Sequence, residues 1–133
     1  MKKILILGST GMLGHMVAKY FFANPEYITF CTYRGDRQSG IPESQSFSFN
    51  ASTDIISFPK DFDYVINCIG IIKQRSGISK EEFYKINADF PKHLTNYCME
   101  NGTKLIHITT DCVYSGKKGN YIESDAHDSI DAY

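Results

Sequence analysis

One stretch near the start of the chain restricts the fold more than any other. KILIL (Lys3–Leu7) is a short, continuous apolar run, and LGSTGMLG follows it with Gly8, Gly11 and Gly14 at three-residue intervals. A short unbroken apolar run suits a strand buried on both faces. The next segment, MLGHMVAKYFFA (Met12–Ala23), carries apolar residues at Leu13, Met16, Val17, Tyr20 and Phe21, which is helical spacing. A strand, a glycine turn and a helix in that order make a ready anion site. The glycines let the backbone turn tightly and approach a phosphate closely. The helix N-terminus adds unpaired N–H groups and the positive end of a dipole. The spacing is G-x-x-G-x-x-G, a variant of the G-x-G-x-x-G dinucleotide fingerprint.

The rest of the chain repeats the alternation. Strands are expected at YITFCTY (Tyr27–Tyr33), SFSFN (Ser46–Asn50), around Tyr64–Asn67 and at TKLIHIT (Thr103–Thr109). KEEFYKINADFPKHLTNYCMEN is expected to be helical, with a break or a restart near Asn87–Phe90, because Pro91 is tolerated only in a helix's first turn. Strands alternating with helices imply crossovers and a parallel sheet. The expectation is a Rossmann-type doubly wound α/β fold of about five strands in three layers, covering residues 1–133 as one domain. Ligands of such sheets bind beyond the carboxyl ends of the strands. Those ends read GSTG, YRGDR, NAS, NCIG and TTDC, all small or polar.

Composition narrows the function. The net charge of -1 leaves no basic footprint for nucleic acid. No stretch approaches the ~20 apolar residues of a membrane span. Cys31, Cys68, Cys98 and Cys112 are widely spaced, with no C-x-x-C. They read as reduced thiols, buried or at strand ends, in a cytoplasmic protein, and no metal site is expected. His107, inside an apolar strand, reads as a core or strand-face residue. Asp61, Asp63 and the carboxylates of ESDAHDSID read as solvated loop charges.

A dinucleotide with a free ribose 2′-hydroxyl usually meets an acidic residue about 20 residues past the glycine loop. Here Arg34 stands twenty residues after Gly14, with Arg37 close by. A guanidinium suits a 2′-phosphate. The expected cofactor is therefore NADP(H) rather than NAD(H). The competing reading makes Arg34 a solvated loop residue and gives the acidic role to Asp36.

Taken together, the glycine loop, NCIG, YKINADFPKHL and TTDCVYSG resemble the extended short-chain dehydrogenase/reductases. Within them the chain looks most like the sugar-nucleotide reductases of the dTDP-4-dehydrorhamnose reductase type. The resemblance implies that Gly8, Thr10, Gly11, Met12, Leu13 and Gly14 cradle the pyrophosphate. It places Asn50, where the family usually has aspartate, and Ala51 against the adenine. Ile69 and Gly70 would flank the cofactor, and Asn87 falls in the family's asparagine-bearing helix. Thr110 would be the catalytic hydroxyl, Asp111 would sit beside it near the substrate, and Tyr133 would be the catalytic tyrosine. The implied substrate is a 4-keto-6-deoxy sugar nucleotide, in deoxysugar synthesis for a surface polysaccharide.

In that family the tyrosine begins Tyr-x-x-x-Lys, and its lysine would fall beyond Tyr133. The chain then reads as the N-terminal part of a longer reductase. Without a lysine ammonium to favour the phenolate, this piece alone is expected to be inactive. A sheet without the next helix is expected to leave an apolar patch that favours self-association. Two alternatives stay open. One is a sugar-nucleotide epimerase or dehydratase holding NAD tightly. The other is a non-catalytic dinucleotide-binding subunit, since the regulatory subunit of methionine adenosyltransferase resembles the same reductases.

Overall fold

A computed structural model of the chain describes residues 1–72 and 77–130. The first apolar run becomes the central strand β1 (Lys2–Leu7), with Ile4, Leu5, Ile6 and Leu7 all buried. Alternate residues of a strand face opposite sides of the sheet. Ile4 and Ile6 therefore pack on one side, with Ala18, Cys31 and Ile66. Leu5 and Leu7 pack on the other, with Val65, Phe90 and Leu94.

The remaining elements are α1 (Met12–Phe22), β2 (Tyr27–Tyr33), β3 (Ser46–Ser48), β4 (Tyr64–Asn67), α2 (Lys80–Tyr84), α3 (Phe90–Glu100) and β5 (Lys104–His107). The five strands form one sheet in the order β3-β2-β1-β4-β5. Every neighbouring pair is parallel. This is the expected doubly wound α/β fold, with α1 on one face and α3 on the other. Chain connections leave β1 and β4 in opposite directions, so the topological switch point lies between their ends.

Three local readings need correction or sharpening. First, only part of the expected apolar face of α1 meets the sheet. Gly14 and Ala18 are its buried positions, Val17 and Phe21 pack partly buried beside them, and Leu13, Met16 and Tyr20 are exposed. The glycine turn draws the helix so close to the sheet that small residues take the closest approach and the bulky ones pack only at its flank. Second, Pro91 marks a restart and not a break: α3 begins at Phe90 with Pro91 in its first turn. A π-helical turn, Lys85–Asp89, joins α2 to α3, and the Phe90 N–H donates to the Lys85 carbonyl. Pro91 has no N–H for a carbonyl four residues back, and its ring would crowd that carbonyl. Widening the preceding turn accommodates both. Third, β5 stops at His107, short of Thr109, and His107 is exposed on the strand face and not in the core.

The loop carboxylates face solvent, as expected, and they also find partners. Asp63 accepts from the Lys3 backbone N–H at 2.8 Å and pairs with Lys2, while Asp61 pairs with Lys3. These contacts tie the entry of β4 to the start of β1. As surface ion pairs they contribute little energy. On the far side of the sheet Ile106 and Ile108 are about half exposed. Among the described residues, no helix is long and apolar enough to cross a membrane.

Candidate functional site

The glycine turn is clamped from β2. Thr32 accepts the Gly8 N–H on its hydroxyl at 3.0 Å. Its carbonyl accepts both the Ser9 N–H and the Ser9 hydroxyl, each at 2.9 Å. Ser9 is fully buried, and Gly8 adopts φ +79°, a conformation that side-chain-bearing residues rarely hold. Gly11 then caps α1 without any side-chain bond. The first-turn N–H groups of Met12, Leu13 and Gly14 therefore have no intrahelical or capping partner.

That uncapped helix end opens at the switch point, beside a cavity of about 300 Å³. Gly8, Thr10, Gly11, Arg34, Asn50, Ala51, Ile69 and Gly70 all line it. Met12 and Gly14 do not. Met12 is exposed, and Gly14 is buried against the Gly8 backbone. Leu13 belongs to a neighbouring cavity. Thr32, Tyr33, Phe49 and Ile86 also contribute wall. Tyr33 opens the strand end YRGDR, whereas Thr32, Phe49 and Ile86 sit in or beside a strand or helix that reads only as core, so the pattern held no signal for those three.

Arg34 lies on the cavity wall and Asp36 does not. Arg37 is not a second cation for the cavity, because its guanidinium donates to the Ile41 carbonyl. Asn50 is used locally: its side-chain oxygen accepts from Ser52 N–H at 3.1 Å, and its own N–H donates to Asp54.

The second cavity, about 320 Å³, shares Cys68, Gly70 and Ile71 with the first. Its other walls include Leu13, Asn87, His107, Thr109 and Thr110. Asn87 answers both backbone groups of one residue. Its side-chain oxygen accepts the Ile71 N–H and its amide donates to the Ile71 carbonyl, both at 2.9 Å. Thr110 stands just past β5, where its hydroxyl oxygen accepts the Cys112 N–H at 3.1 Å and caps a 3₁₀ turn, Asp111–Val113. That contact leaves the Thr110 O–H to donate. Asp111 is adjacent but is not part of the cavity wall. Tyr133 lies outside the described residues. Burial pushes the Cys68 thiol up to about 11, so it stays protonated at neutral pH and is no nucleophile. Among the described residues, no cluster of His, Cys, Asp or Glu could hold a metal ion.

Beyond Thr110 the polar tail is ordered by its own contacts while its carboxylates face solvent. Tyr114 stacks on Tyr121 with centroids 4.5 Å apart. Asp128 accepts from the Ser115 N–H at 2.7 Å and from the Ser115 hydroxyl at 2.6 Å. Asp125 accepts from Lys118 at 2.5 Å and from the Ile122 N–H at 2.9 Å. These bonds favour the ionised carboxylates, holding both below the usual range. A depressed carboxylate stabilises the fold above its unfolded pKa and loses that contribution as pH falls through the folded one. The loop is therefore expected to stay closed at neutral pH and to loosen below about pH 4. Amide shifts of Ser115 and Ile122, followed from pH 7 to pH 2, check this. Midpoints at or above that of an unstructured aspartate would show that the bonds do not form.

Comparison with known proteins then places the chain. The model of the RmlD substrate binding domain family matches residues 1–133.

The chain belongs to that family.

Over 58 residues it is 40% identical to dTDP-4-dehydrorhamnose reductase of Mycobacterium tuberculosis, covering 43% of this chain and 19% of that protein. Over 137 aligned residues it is 25% identical to methionine adenosyltransferase 2 subunit beta of Bos taurus, covering 99% of this chain and 39% of that protein. Among solved structures, a hypothetical dTDP-4-dehydrorhamnose reductase from Sulfolobus tokodaii superposes with a TM-score of 0.76 at 27% identity, over 100% of this chain and 48% of that one. UDP-glucuronic acid 4-epimerase from Bacillus cereus, in complex with NAD, superposes at 0.74 with 21% identity, over 98% and 47%. That last likeness is one of fold. The chain spans less than half the length of each relative.

Proposed function

We propose that this chain is the dinucleotide-binding part of an NADP(H)-dependent reductase acting on a 4-keto-6-deoxy sugar nucleotide. The observation that carries the reading is the pair of joined cavities at the switch point. One has the glycine turn, the uncapped end of α1 and Arg34; the other has Thr110. The first cavity fits a dinucleotide. Its glycine wall bears no side chains, the helix end beside it offers unpaired N–H groups to a pyrophosphate, and Arg34 supplies a guanidinium at the adenosine end. When bound, the nicotinamide supplies the hydride.

The chain's own residues do the rest. The backbone of Gly8–Gly11 and the first turn of α1 bind phosphate. Cys68, Gly70 and Ile71 form the wall shared by the two cavities, and Ile69 flanks the cofactor on the first cavity's side. The Thr110 O–H donates to the substrate carbonyl oxygen, where negative charge grows during reduction. Tyr133 is assigned delivery of the proton to that oxygen.

Titration of NADPH and NADH against the protein, read by nicotinamide fluorescence, tests the reading. NADPH is expected to bind more tightly. Arg34→Ala is expected to weaken NADPH about 10- to 100-fold, the loss of a charge-assisted hydrogen bond, and to leave NADH nearly unchanged. Tighter NADH binding would overturn the NADP(H) assignment. A second reading, a non-catalytic dinucleotide-binding subunit, is favoured by the match to the methionine adenosyltransferase beta subunit, which runs over nearly the whole chain. Cofactor binding by the natural full-length protein, without turnover of a 4-keto sugar nucleotide, would select it.

A further inference from the structure

The second cavity holds a polar pair that the proposed chemistry does not use. Asn67, the last residue of β4, is fully buried. It is paired in register with His107, the last residue of β5. The Asn67 side-chain oxygen accepts the Ile69 N–H at 3.0 Å. A backbone N–H can bond only the oxygen end of the amide, so this contact fixes which way the amide faces. Its NH₂ then faces His107, with Asn67 Nδ2 3.0 Å from His107 Nδ1. A ring nitrogen that meets an NH₂ at that distance must be bare and accept. The proton of a neutral imidazole is therefore on Nε2. Charging the ring would set two donors against each other, and turning Asn67 to relieve them would strip Ile69 of its acceptor. Partial burial acts in the same direction and lowers the His107 pKa below its ordinary value.

We infer that His107 is a neutral hydrogen-bond donor, locked as the Nε2–H tautomer by Asn67, that binds an acceptor oxygen of the sugar in the Thr110 cavity. The inference rests on the reading of that cavity as the reacting end of the proposed function. Its walls explain the need. Leu13, Ile71, Ile72, Ile108 and Val113 are apolar, and Asn87 gives its oxygen and one of its two N–H groups to Ile71, so the polar wall facing a ligand reduces to the Thr109 and Thr110 hydroxyls, one Asn87 N–H and His107. An oxygen-rich ligand entering there must find donors, and His107 joins Thr110 in supplying them. A buried amide devoted to one imidazole is costly unless its bonds are all made. Here they are made, at both ends of the side chain.

The test uses ¹⁵N-histidine-labelled protein, with the His107 signals assigned through His107→Gln. At pH 7 His107 is expected to show the Nε2–H tautomer. Asn67→Asp keeps an acceptor for Ile69 but offers His107 an acceptor too, and is expected to draw a proton onto Nδ1. Adding dTDP-rhamnose in the presence of saturating NADPH is expected to shift the wild-type Nε2–H resonance. His107→Leu is expected to weaken dTDP-rhamnose binding about tenfold, the loss of one neutral hydrogen bond. His107→Gln, whose amide can place an N–H near the Nε2 position, is expected to restore most of it. NADPH affinity is expected to be unchanged in both variants, because His107 does not line the first cavity. An Nδ1–H or charged ring in the wild type, an unmoved Nε2–H resonance, no dTDP-rhamnose binding, or equal binding by His107→Leu would each overturn the inference. Failure of NADPH to bind would instead overturn the cofactor reading, while the tautomer result would still stand.

Discussion

Gly14→Ala is expected to cost about 3 kcal/mol of stability or more, the upper end of what overpacking a close-packed site costs. A Cβ at this position would lie 2.1 Å from the Gly8 carbonyl oxygen and 2.7 Å from its carbon. Both are backbone atoms, so no side chain can swing aside. The glycine turn cannot retreat either. Gly8 and Ser9 are bonded to Thr32, and a Cβ built on Gly8 would already meet Ile69 at 2.8 Å. Helix α1 would have to move outward, taking Ala18 off the sheet. Thermal unfolding followed by circular dichroism should show a Tm lower by roughly 10 °C or more. Gly11→Ala is the control. Its Cβ would lie 3.4 Å from the Gly8 oxygen, at the edge of ordinary contact. That variant should keep its Tm within a few degrees but bind NADPH less well, because Gly11 lines the first cavity. A Gly14→Ala protein as stable as the wild type would mean that helix and turn are not in contact.

Asn87→Leu is expected to damage stability and cofactor binding together. The side chain answers both backbone groups of Ile71, and Ile71 is buried in the wall shared by the two cavities. Leucine has nearly the same size but offers neither bond. Two part-buried backbone groups left without partners cost about 2–4 kcal/mol in total. Urea unfolding measures that loss, and an NADPH titration measures its reach into the site. Asn87→Asp is a useful contrast. It keeps an acceptor for the Ile71 N–H but sets a carboxylate against the Ile71 carbonyl, so it should rescue little. Lost stability with unchanged NADPH affinity would show that the Ile71 wall does not position the cofactor.

The two substitutions mark different levels of legibility. Gly14 stood out in the sequence, since a third glycine at that spacing has a packing role in this kind of turn. What the pattern misjudged was its consequence. Leu13, Met16 and Tyr20 have helical spacing and look like the packing face of α1, yet they are exposed. Hydrophobic periodicity weighs bulky residues, whereas the distance between helix and sheet decides whether bulk can fit at all. Asn87 was legible only through family resemblance. Nothing local announces that its amide will be spent on Ile71, sixteen residues away. The partners within the tail after Thr110 were hidden for the same reason. Asp125 and Asp128 look like solvated charges in a polar run, and only the folded loop supplies the N–H groups that hold them.

The sequence by itself determined the order of strands and helices, the parallel sheet and the place of the glycine turn. Those follow from residue types and spacings within about ten positions, where backbone sterics and periodic burial act directly. It also marked Arg34 and Thr110, because each falls at a strand end. Tertiary structure alone decided the rest. It set Arg34 in the cavity wall, tied Arg37 to a carbonyl, kept Asp36 out, and joined Asn67 to His107 across forty residues. Which donor meets which acceptor depends on the register between parallel strands and on the depth of a helix against the sheet. Both are set when the whole core closes, and neither is written in any one segment.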